Sequence, residues 1–515
     1  PASSLRVFSS QAGGRKAGAL TVTGNTLSFD PATDFKPGEV VSVTVTTAAQ
    51  SAAGVPLDTA FVYQFIAVAA GGTGHFEKPD SVVVKGDPYE LATGDVDGDG
   101  DLDLLVSRRG RQQVTVCLNA GGGAFSVADS VPVGLGPQGL AVGDIDGDGD
   151  LDFVTANEGD KTVSVRFNDG AAHFTSPATN PDLSIPKRPF DVVLADMDGD
   201  GDLDLLSANY SSGSGTPIPG GTSASSLSVC RNDGSGTFGT PADVLVAAQP
   251  STMAVGDLDN DGDLDVITVG YRSERVSVRF NNGLGAFPFR RDIAVAGKPQ
   301  GVAVGDVDND GDVDIVTPLP DSRTLVVCYN DGTGRFPNSS SVPAGVGTSV
   351  ALGDLNGDGY LDAVSCDYGG VTIPIYTNDQ TGHFVADTLL WVGPSSFCVT
   401  MADVDGDGDL DVLTSSLAGG GGISTWFNQD APVVDPLLTA PQYGLWPNPA
   451  AGTATLGYPP PATDEPVRLV DALGRTVGTA VLRAGEVAVE LPLQGLAPGL
   501  YIVRLGLRAW PLVVQ

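Results

Sequence analysis

The sequence predicts an all-β protein, a seven-bladed β-propeller flanked by two small β-sandwich domains, and three observations carry that expectation. The aspartate-rich nonapeptide DVDGDGDLD, residues 95–103, returns six more times in nearly the same form. Its copies begin at Asp95, Asp144, Asp196, Asp257, Asp306, Asp354 and Asp403, spaced 49, 52, 61, 49, 48 and 49 residues apart. Between them Val, Thr and Leu alternate with small polar residues, Gly (69) and Pro (36) are abundant, and no segment keeps a 3.6-residue apolar period. A period near 50 residues with β patterning belongs to a propeller or a β-solenoid.

The elements follow in chain order. Residues 1–71 include ALTVTGNTLSFDPATDFKPGEVVSVTVTT, short alternating strands broken by P-A-T-D and K-P-G-E turns. They read as a small sandwich short of its first strands. From residue 72 the repeats begin. The second one runs PQGLAVGDI, the acidic loop, LDFVTAN, an EGDK turn, TVSVRFN, a DGAAHF hairpin and a last extended segment. Four strands per repeat make a propeller blade. The seventh repeat stops after ISTWFNQD (423–430), without hairpin or fourth strand. GGTGHFEKPDSVVV, ahead of the first repeat, supplies both, so a strand over 76–85 is expected to complete blade seven and remove the open sheet edges. The propeller then spans 72–430. A Pro-rich linker, 431–442, leads to a second short-strand module, 443–515.

Composition narrows the function. At 515 residues the chain suits about three domains. It begins at Pro1, which suggests a trimmed chain whose signal peptide is already removed. No apolar stretch approaches the ~20 residues of a membrane helix. The formal charge of −36 excludes nucleic acid as a partner, because a phosphate backbone needs a basic surface. Of 63 acidic residues, 33 lie in the seven loops, so the acidity is local and asks for a counter-ion.

Carboxylates a few ångströms apart repel, and burying them unpaired is costly. A hard cation reverses that balance: Ca2+ takes roughly six to eight oxygens from alternate side chains, carbonyls and water on a Gly-bent loop. In the first loop Asp95, Asp97 and Asp99 would ligate through side chains, Gly100 permits the turn, Asp101 offers its carbonyl and Asp103 closes the site. The same roles fall to Asp144, Asp146, Asp148, Asp150 and Asp152 in the second loop, and to Asp196, Asp198, Asp200, Asp202 and Asp204 in the third. Asp257, Asp259, Asp261, Asp263 and Asp265 form the fourth; Asp306, Asp308, Asp310, Asp312 and Asp314 form the fifth. The sixth varies the pattern with Asp354, Asn356, Asp358, Tyr360 and Asp362, substitutions that a position offering only its carbonyl (Tyr360) or any side-chain oxygen (Asn356) tolerates. Asp403, Asp405, Asp407, Asp409 and Asp411 complete the set. An EF-hand would carry Glu at the twelfth residue between helices; here that residue is Val106, Thr155 or Ser207, between strands. About seven calcium ions, one per blade and mainly structural, are expected, because metal binding at closed sites is part of the folding free energy.

The face away from these loops differs. Its turns carry Arg108, Arg109, Arg111, Lys161, Lys187, Arg188, Arg272, Arg275, Lys298 and Arg323, ten of the 27 basic residues. Tyr89, Phe190, Tyr210, Tyr271, Tyr368 and Phe397 mix with them. Flat rings suit sugar or peptide stacking and Arg suits carboxylate or sulfate. An extracellular glycan or protein ligand is the functional reading; ordinary polar decoration is the alternative. His75, His173 and His383 all fall in the same hairpin turn before Phe, which leaves no His for a Ser-His-Asp triad. A carboxylate pair for glycoside chemistry cannot be told from the loop acids by sequence. No enzyme is expected. Cys117, Cys230 and Cys328 hold one repeat position in different blades, too far apart to bridge, so free thiols in strands are expected.

The repeat pattern of hydrophobic strand, GDxDGDGDxD, strand and N-D-G-x-G-x-F resembles the FG-GAP/VCBS repeat family, which also builds the integrin α-subunit propeller. The resemblance implies calcium in each loop and adhesion or carbohydrate contact. Residues 22–70 resemble a bacterial Ig-like domain. WPNPA (446–450), VRLVDALGR (467–475) and LAPGLYIVRL (496–505) resemble the type IX secretion C-terminal sorting domain. That implies export from a Bacteroidota-type bacterium to the medium or the outer-membrane surface, through the type IX machinery. A secreted or cell-surface calcium-binding adhesion or glycan-binding module is therefore the leading expectation. A polysaccharide-acting enzyme or its accessory domain, and a purely structural surface protein, are the alternatives.

Overall fold

A computed structural model describes residues 4–430 except 12–13, 25, 52–53, 70–71, 78–79, 85, 178–181, 211–224, 248, 271, 346, 393–394 and 418–420; beyond 430 it describes mainly the strands between 444 and 514. Two compact units emerge, Pro1–Ala431 and Pro432–Gln515. Among the described residues every regular element is a β-strand.

The first unit holds seven antiparallel four-stranded sheets. Sheet one is Pro88–Gly94, Asp103–Arg108, Gln113–Asn119 and Phe125–Pro132, each strand paired to the next. Five further sheets repeat that simple meander as far as Phe384–Trp391. In the seventh, Ser396–Ala402, Asp411–Ser416 and Gly422–Trp426 are joined by Asp80–Val82, with Ile423 opposite Val82. The hairpin ahead of it also crosses over: Gly72–Phe76 pairs with Asn428–Asp430. The central strands are apolar on both faces, as in Asp103–Arg108, where every residue is buried. Each sheet shares a core with the next, and the core of sheets seven and one (Leu104, Val106, Leu413, Ile423) has the same make-up as the others. This is a propeller-like arrangement.

Polar cross-links accompany the apolar ones. The Asn at or just past the end of each third strand is buried, and its Nδ2 donates twice. One bond stays in its own sheet: Asn281 reaches Leu264 O at 3.1 Å. The other crosses to the preceding sheet, as Asn281 to Met197 O (2.8 Å) and Asn330 to Leu258 O (2.8 Å). The same bond runs from Asn119 in sheet one to Val404 O in sheet seven (2.7 Å).

The N-terminal residues form a three-stranded sheet of Leu5–Ser9, Val40–Val45 and Phe61–Ile66, with a two-stranded ribbon of Gly18–Thr23 and Thr26–Pro31. This sheet is not a separate body. It lies on the acidic-loop side of the propeller-like part, where Asp95 N donates to Gln11 O (2.8 Å), Val62 N to Gly262 O (2.6 Å) and Thr44 Oγ1 to Asp196 Oδ2 (2.6 Å). Val62 joins the core of sheets three and four beside Met197 and Leu206. All five cysteines are buried free thiols.

The second unit has a three-stranded sheet (Gly444–Trp446, Thr453–Gly457, Ala488–Pro492) and a four-stranded one (Thr476–Leu482, Glu465–Val470, Gly499–Leu505, Arg508–Val514). Ala454, Leu456 and Leu491 of the first share one core with Val467, Leu469 and Val503 of the second.

Truncating one ring asparagine tests the cross-links. Asn281→Ala takes this donor from Leu264 O and leaves Met197 O only its bond from Gly285 N, and is expected to cost about 1–3 kcal/mol, read as a lower urea midpoint. An unchanged midpoint would remove these bonds from any account of stability.

Candidate functional site

Each acidic loop joins the first strand of a sheet to the second, and its backbone folds around its own first carboxylate. Asp95 Oδ1 accepts from Gly98 N (2.8 Å) and Oδ2 from Gly100 N (3.1 Å). Asp354 and Asp403 repeat that pair with Gly357 and Gly359, and with Gly406 and Gly408. The fourth loop position needs a left-handed backbone, with φ of 57–79° in all seven copies. It is Gly in five and Asn260 or Asn309 in two, the residue types that reach this region most easily.

The ninth position is the deepest. Asp103, Asp152, Asp204, Asp265, Asp314, Asp362 and Asp411 are all buried, at 0–1 % exposure. One oxygen of each accepts from the backbone of the second loop residue, as Asp103 from Val96 N (3.0 Å). The other accepts from the backbone N–H of the cross-linking asparagine, as Asp103 from Asn119 N (2.9 Å). Burial is the main cause that pushes these carboxyls up, to about 7 at Asp103, Asp314 and Asp362 and about 8 at Asp152, Asp204, Asp265 and Asp411. Neighbouring loop carboxylates push the same way.

Several loops bring carboxylates close enough to share one ion. First, third and ninth positions converge in Asp144/Asp146/Asp152, Asp196/Asp198/Asp204, Asp257/Asp259/Asp265 and Asp306/Asp308/Asp314, with a ligand atom of each within 4.8 Å of the others. In the first loop the converging set is Asp95, Asp97 and Asp99. The donors fit a hard cation: Asp198 Oδ1, Asp257 Oδ1, Asp259 Oδ1 and Asp308 Oδ1 are buried oxygens with no hydrogen-bond donor. The seventh position turns elsewhere. A β-carbon on the following hairpin glycine would come within 2.5–3.3 Å of Asp101, Asp150, Asp202, Asp263 or Asp312, so these side chains lie against the hairpin. Where the loop has Tyr360, the hairpin has Gln380 in place of Gly, and Gln380 Nε2 donates to Asp358 Oδ2 (3.2 Å).

On the opposite side, six of the residues singled out by sequence come together. Tyr89 and Phe397 have ring centroids 3.9 Å apart, Tyr368 meets Phe397 edge-on at 6.2 Å, and Phe190 packs on Tyr210 at 5.3 Å. Arg109 stands over Tyr89 at 5.8 Å and pairs with Glu158 at 3.1 Å, as does Arg188. Arg108 is buried at 8 %, with Nη1 on Thr115 Oγ1 (3.2 Å), and with Arg111 it lines a separate hollow beside Val84. Arg272 sits beside Lys298, and Tyr271 lies outside the described residues. Lys187 and Lys298 are paired with Asp243 and Asp321.

Three of these rings, Tyr89, Phe190 and Phe397, line a cavity of ≈ 360 Å³ together with Glu90, Asp191 and the strand starts of sheets four to six. Five residues before each loop's first position stand Glu90, Gly139, Asp191, Thr252, Gly301, Ser349 and Cys398. The two acids of that ring were not visible as a pair in the sequence. Their signal is phase: they occupy a position that is otherwise Gly or a small polar residue. Gly139 stands between them, and a β-carbon there would meet Asp191 Oδ1 at 2.8 Å. Burial, then the nearby Asp191, pushes Glu90 up from 4.5 to about 8; burial pushes Asp191 from 3.8 to about 7.

An all-β chain of repeated four-stranded sheets, each with an acidic loop at its first turn, defines a class: a propeller-like repeat protein. Residues 95–155, 144–207, 218–268, 257–317 and 354–414 match the FG-GAP-like repeat, together more than half of the chain and all seven loops, and the chain belongs to that family. Residues 444–508 match the secretion system C-terminal sorting domain, which marks a secreted or cell-surface-attached protein of the type IX route. No helix is long and apolar enough to cross a membrane among the described residues. Among solved structures the chain is similar to BBS1N from a complex with ARL6DN, at 11% identity over 70% of this chain and 98% of that one, TM-score 0.48. It is also similar to an Agrocybe aegerita lectin described as recognising non-reducing terminal N-acetylglucosamine (18% identity, 81% of this chain, 96% of that one, TM-score 0.41). A third is the Photorhabdus luminescens Tc holotoxin pore (18% identity, 81% of this chain, 17% of that one, TM-score 0.35). No curated protein matches the chain.

The raised acids fix a sign. Between about pH 4 and 8 the folded protein holds more protons at Glu90 and Asp191 than the unfolded chain, so these groups cost stability as pH rises through that window. Glu90→Gln is therefore expected to raise the melting temperature at pH 8.5 and leave it unchanged at pH 4. A shift of equal size at both values would show that Glu90 does not titrate there.

Proposed function

We propose that the chain is a secreted or surface-attached, calcium-loaded, closed seven-bladed propeller, 72–430, that binds an extracellular glycan or protein on the face away from its acidic loops. The Asn119–Val404 bond and the shared core of sheets seven and one support closure. The convergence of first, third and ninth loop carboxylates is the observation that carries the calcium reading. Calcium would be held by those side chains, with the seventh position contributing its carbonyl. Bound there, it supplies neutralising charge to acids that burial otherwise keeps protonated near neutral pH, and so holds the loops in shape. The N-terminal sheet, an Ig-like module in this reading, covers part of the loop side, which leaves the aromatic cavity mouth as the ligand surface.

Chelation tests the metal. EDTA is expected to lower the melting temperature by well over 10 °C, with recovery on adding Ca2+ but not Na+. Asp144→Asn should weaken calcium binding at that loop at least tenfold, and Asp150→Asn less than twofold. A chelated sample that melts unchanged would end the calcium reading.

A glycan array, run in calcium, tests the ligand. Binding to a defined glycan should fall at least tenfold in Arg109→Ala or Tyr368→Ala, whose side chains stand at the mouth and whose loss leaves the cores untouched. Binding that survives both variants would move the ligand to another surface. One observation favours a second reading, polysaccharide hydrolysis: the Glu90 and Asp191 carboxyls share one cavity and titrate near neutrality. Turnover abolished by Glu90→Gln would favour it over binding alone.

A further inference from the structure

The walls of the cavity mouth define what can enter it. Neither Glu90 nor Asp191 takes part in an ion pair among the described residues. Asp191 accepts from Val192 N and Met253 N, both at 2.8 Å, and Glu90 Oε1 from the Cys398 thiol at 3.0 Å. Three hydroxyls around them have their protons committed to main-chain carbonyls. Ser251 (3.1 Å) and Thr252 (2.7 Å) donate to Gln300 O, and Thr348 donates to Phe397 O (2.9 Å). What these three residues and the two carboxyls turn toward the cavity is lone pairs, which makes its wall rich in acceptors.

We propose that this mouth binds a small organic ammonium ion, a primary amine of amino-sugar or short-alkylamine size, held by Glu90 and Asp191 against the rings of Tyr89, Phe190 and Phe397. The inference rests on reading this face as the ligand surface and gives that ligand its chemistry. A primary ammonium brings three donors and one positive charge, the complement of an acceptor-rich wall with two carboxyls. Its charge offsets the burial that disfavours ionising the two carboxyls, and aromatic faces attract it further. A hard metal ion suits the mouth less, because the rings supply no oxygens to complete its shell. The volume, ≈ 360 Å³, lies at the small end of the roughly 300–1,000 Å³ of ligand pockets, which excludes bulky occupants.

The test is calorimetry on the calcium-loaded full chain at pH 7.5, titrated with n-butylammonium chloride and with glucosamine. n-Butanol and N-acetylglucosamine serve as uncharged counterparts. At least one amine is expected to bind with a millimolar or tighter dissociation constant, at least tenfold tighter than its uncharged counterpart. Glu90→Gln and Asp191→Asn should each weaken it at least tenfold, while Asp129→Asn, an exposed acid on an outer strand, should not. Tighter glucosamine would point to amino sugars, tighter butylammonium to alkylamines. Counterparts that bind as well as the amines overturn the proposal, a comparison that holds even where a variant fails to fold. So does amine binding indifferent to both variants. A silent glycan array with amine binding intact would sink the glycan reading alone; array binding without amine preference would sink this inference alone.

Discussion

One buried carboxylate per sheet, clamped between two main-chain N–H groups, is the constraint on which the rest depends. The ninth-position aspartate ties the start of its own loop to the asparagine at or just past the end of the third strand, and that asparagine reaches back to the neighbouring sheet. A neutral residue of the same shape would lose the charge that makes such bonds strong. A charged one without compensation would be too costly to bury. The loop's remaining acids make sense against that background: they assemble a site where a cation can sit beside a carboxylate the fold cannot do without.

The two sides of the propeller-like part are treated oppositely. On the loop side, carboxylates are concentrated and then covered, partly by an N-terminal sheet whose Thr44 and Arg15 main chain touch first-position aspartates of the third and second loops. On the other side several acids are paired with Arg or Lys, and two, Glu90 and Asp191, line a cavity with aromatic rings. Acidic residues thus build the loops on one side and line a cavity on the other.

Much of this was legible in sequence because it repeats. A nonapeptide seen seven times fixes its own phase, the phase fixes the strands around it, and the missing hairpin after Asp430 pointed to the pairing that Gly72–Phe76 makes. What does not repeat was harder. The N-terminal sheet's docking depends on single contacts such as Val62 with Gly262, which no pattern announces. Glu90 and Asp191 are ordinary acids in strand context until the fold brings both to one cavity. Arg108 was misleading for a related reason: it sits at a strand end beside two exposed-looking arginines, yet its stem and head are folded inward onto Thr115.

The strand Asp80–Val82 completes a sheet whose other members begin at Ser396, and Thr73 bonds to Gln429 across 356 residues. A chain emerging N-terminus first must therefore keep an early segment uncommitted until nearly all later ones have arrived. Nucleation can proceed sheet by sheet, but the final joint has high contact order and forms slowly. Any polypeptide interrupted before residue 422 would present the bare flank of an unfinished sheet, a template for pairing with a second molecule. The pairing that completes the seventh sheet is thus also the point where an incomplete chain would aggregate.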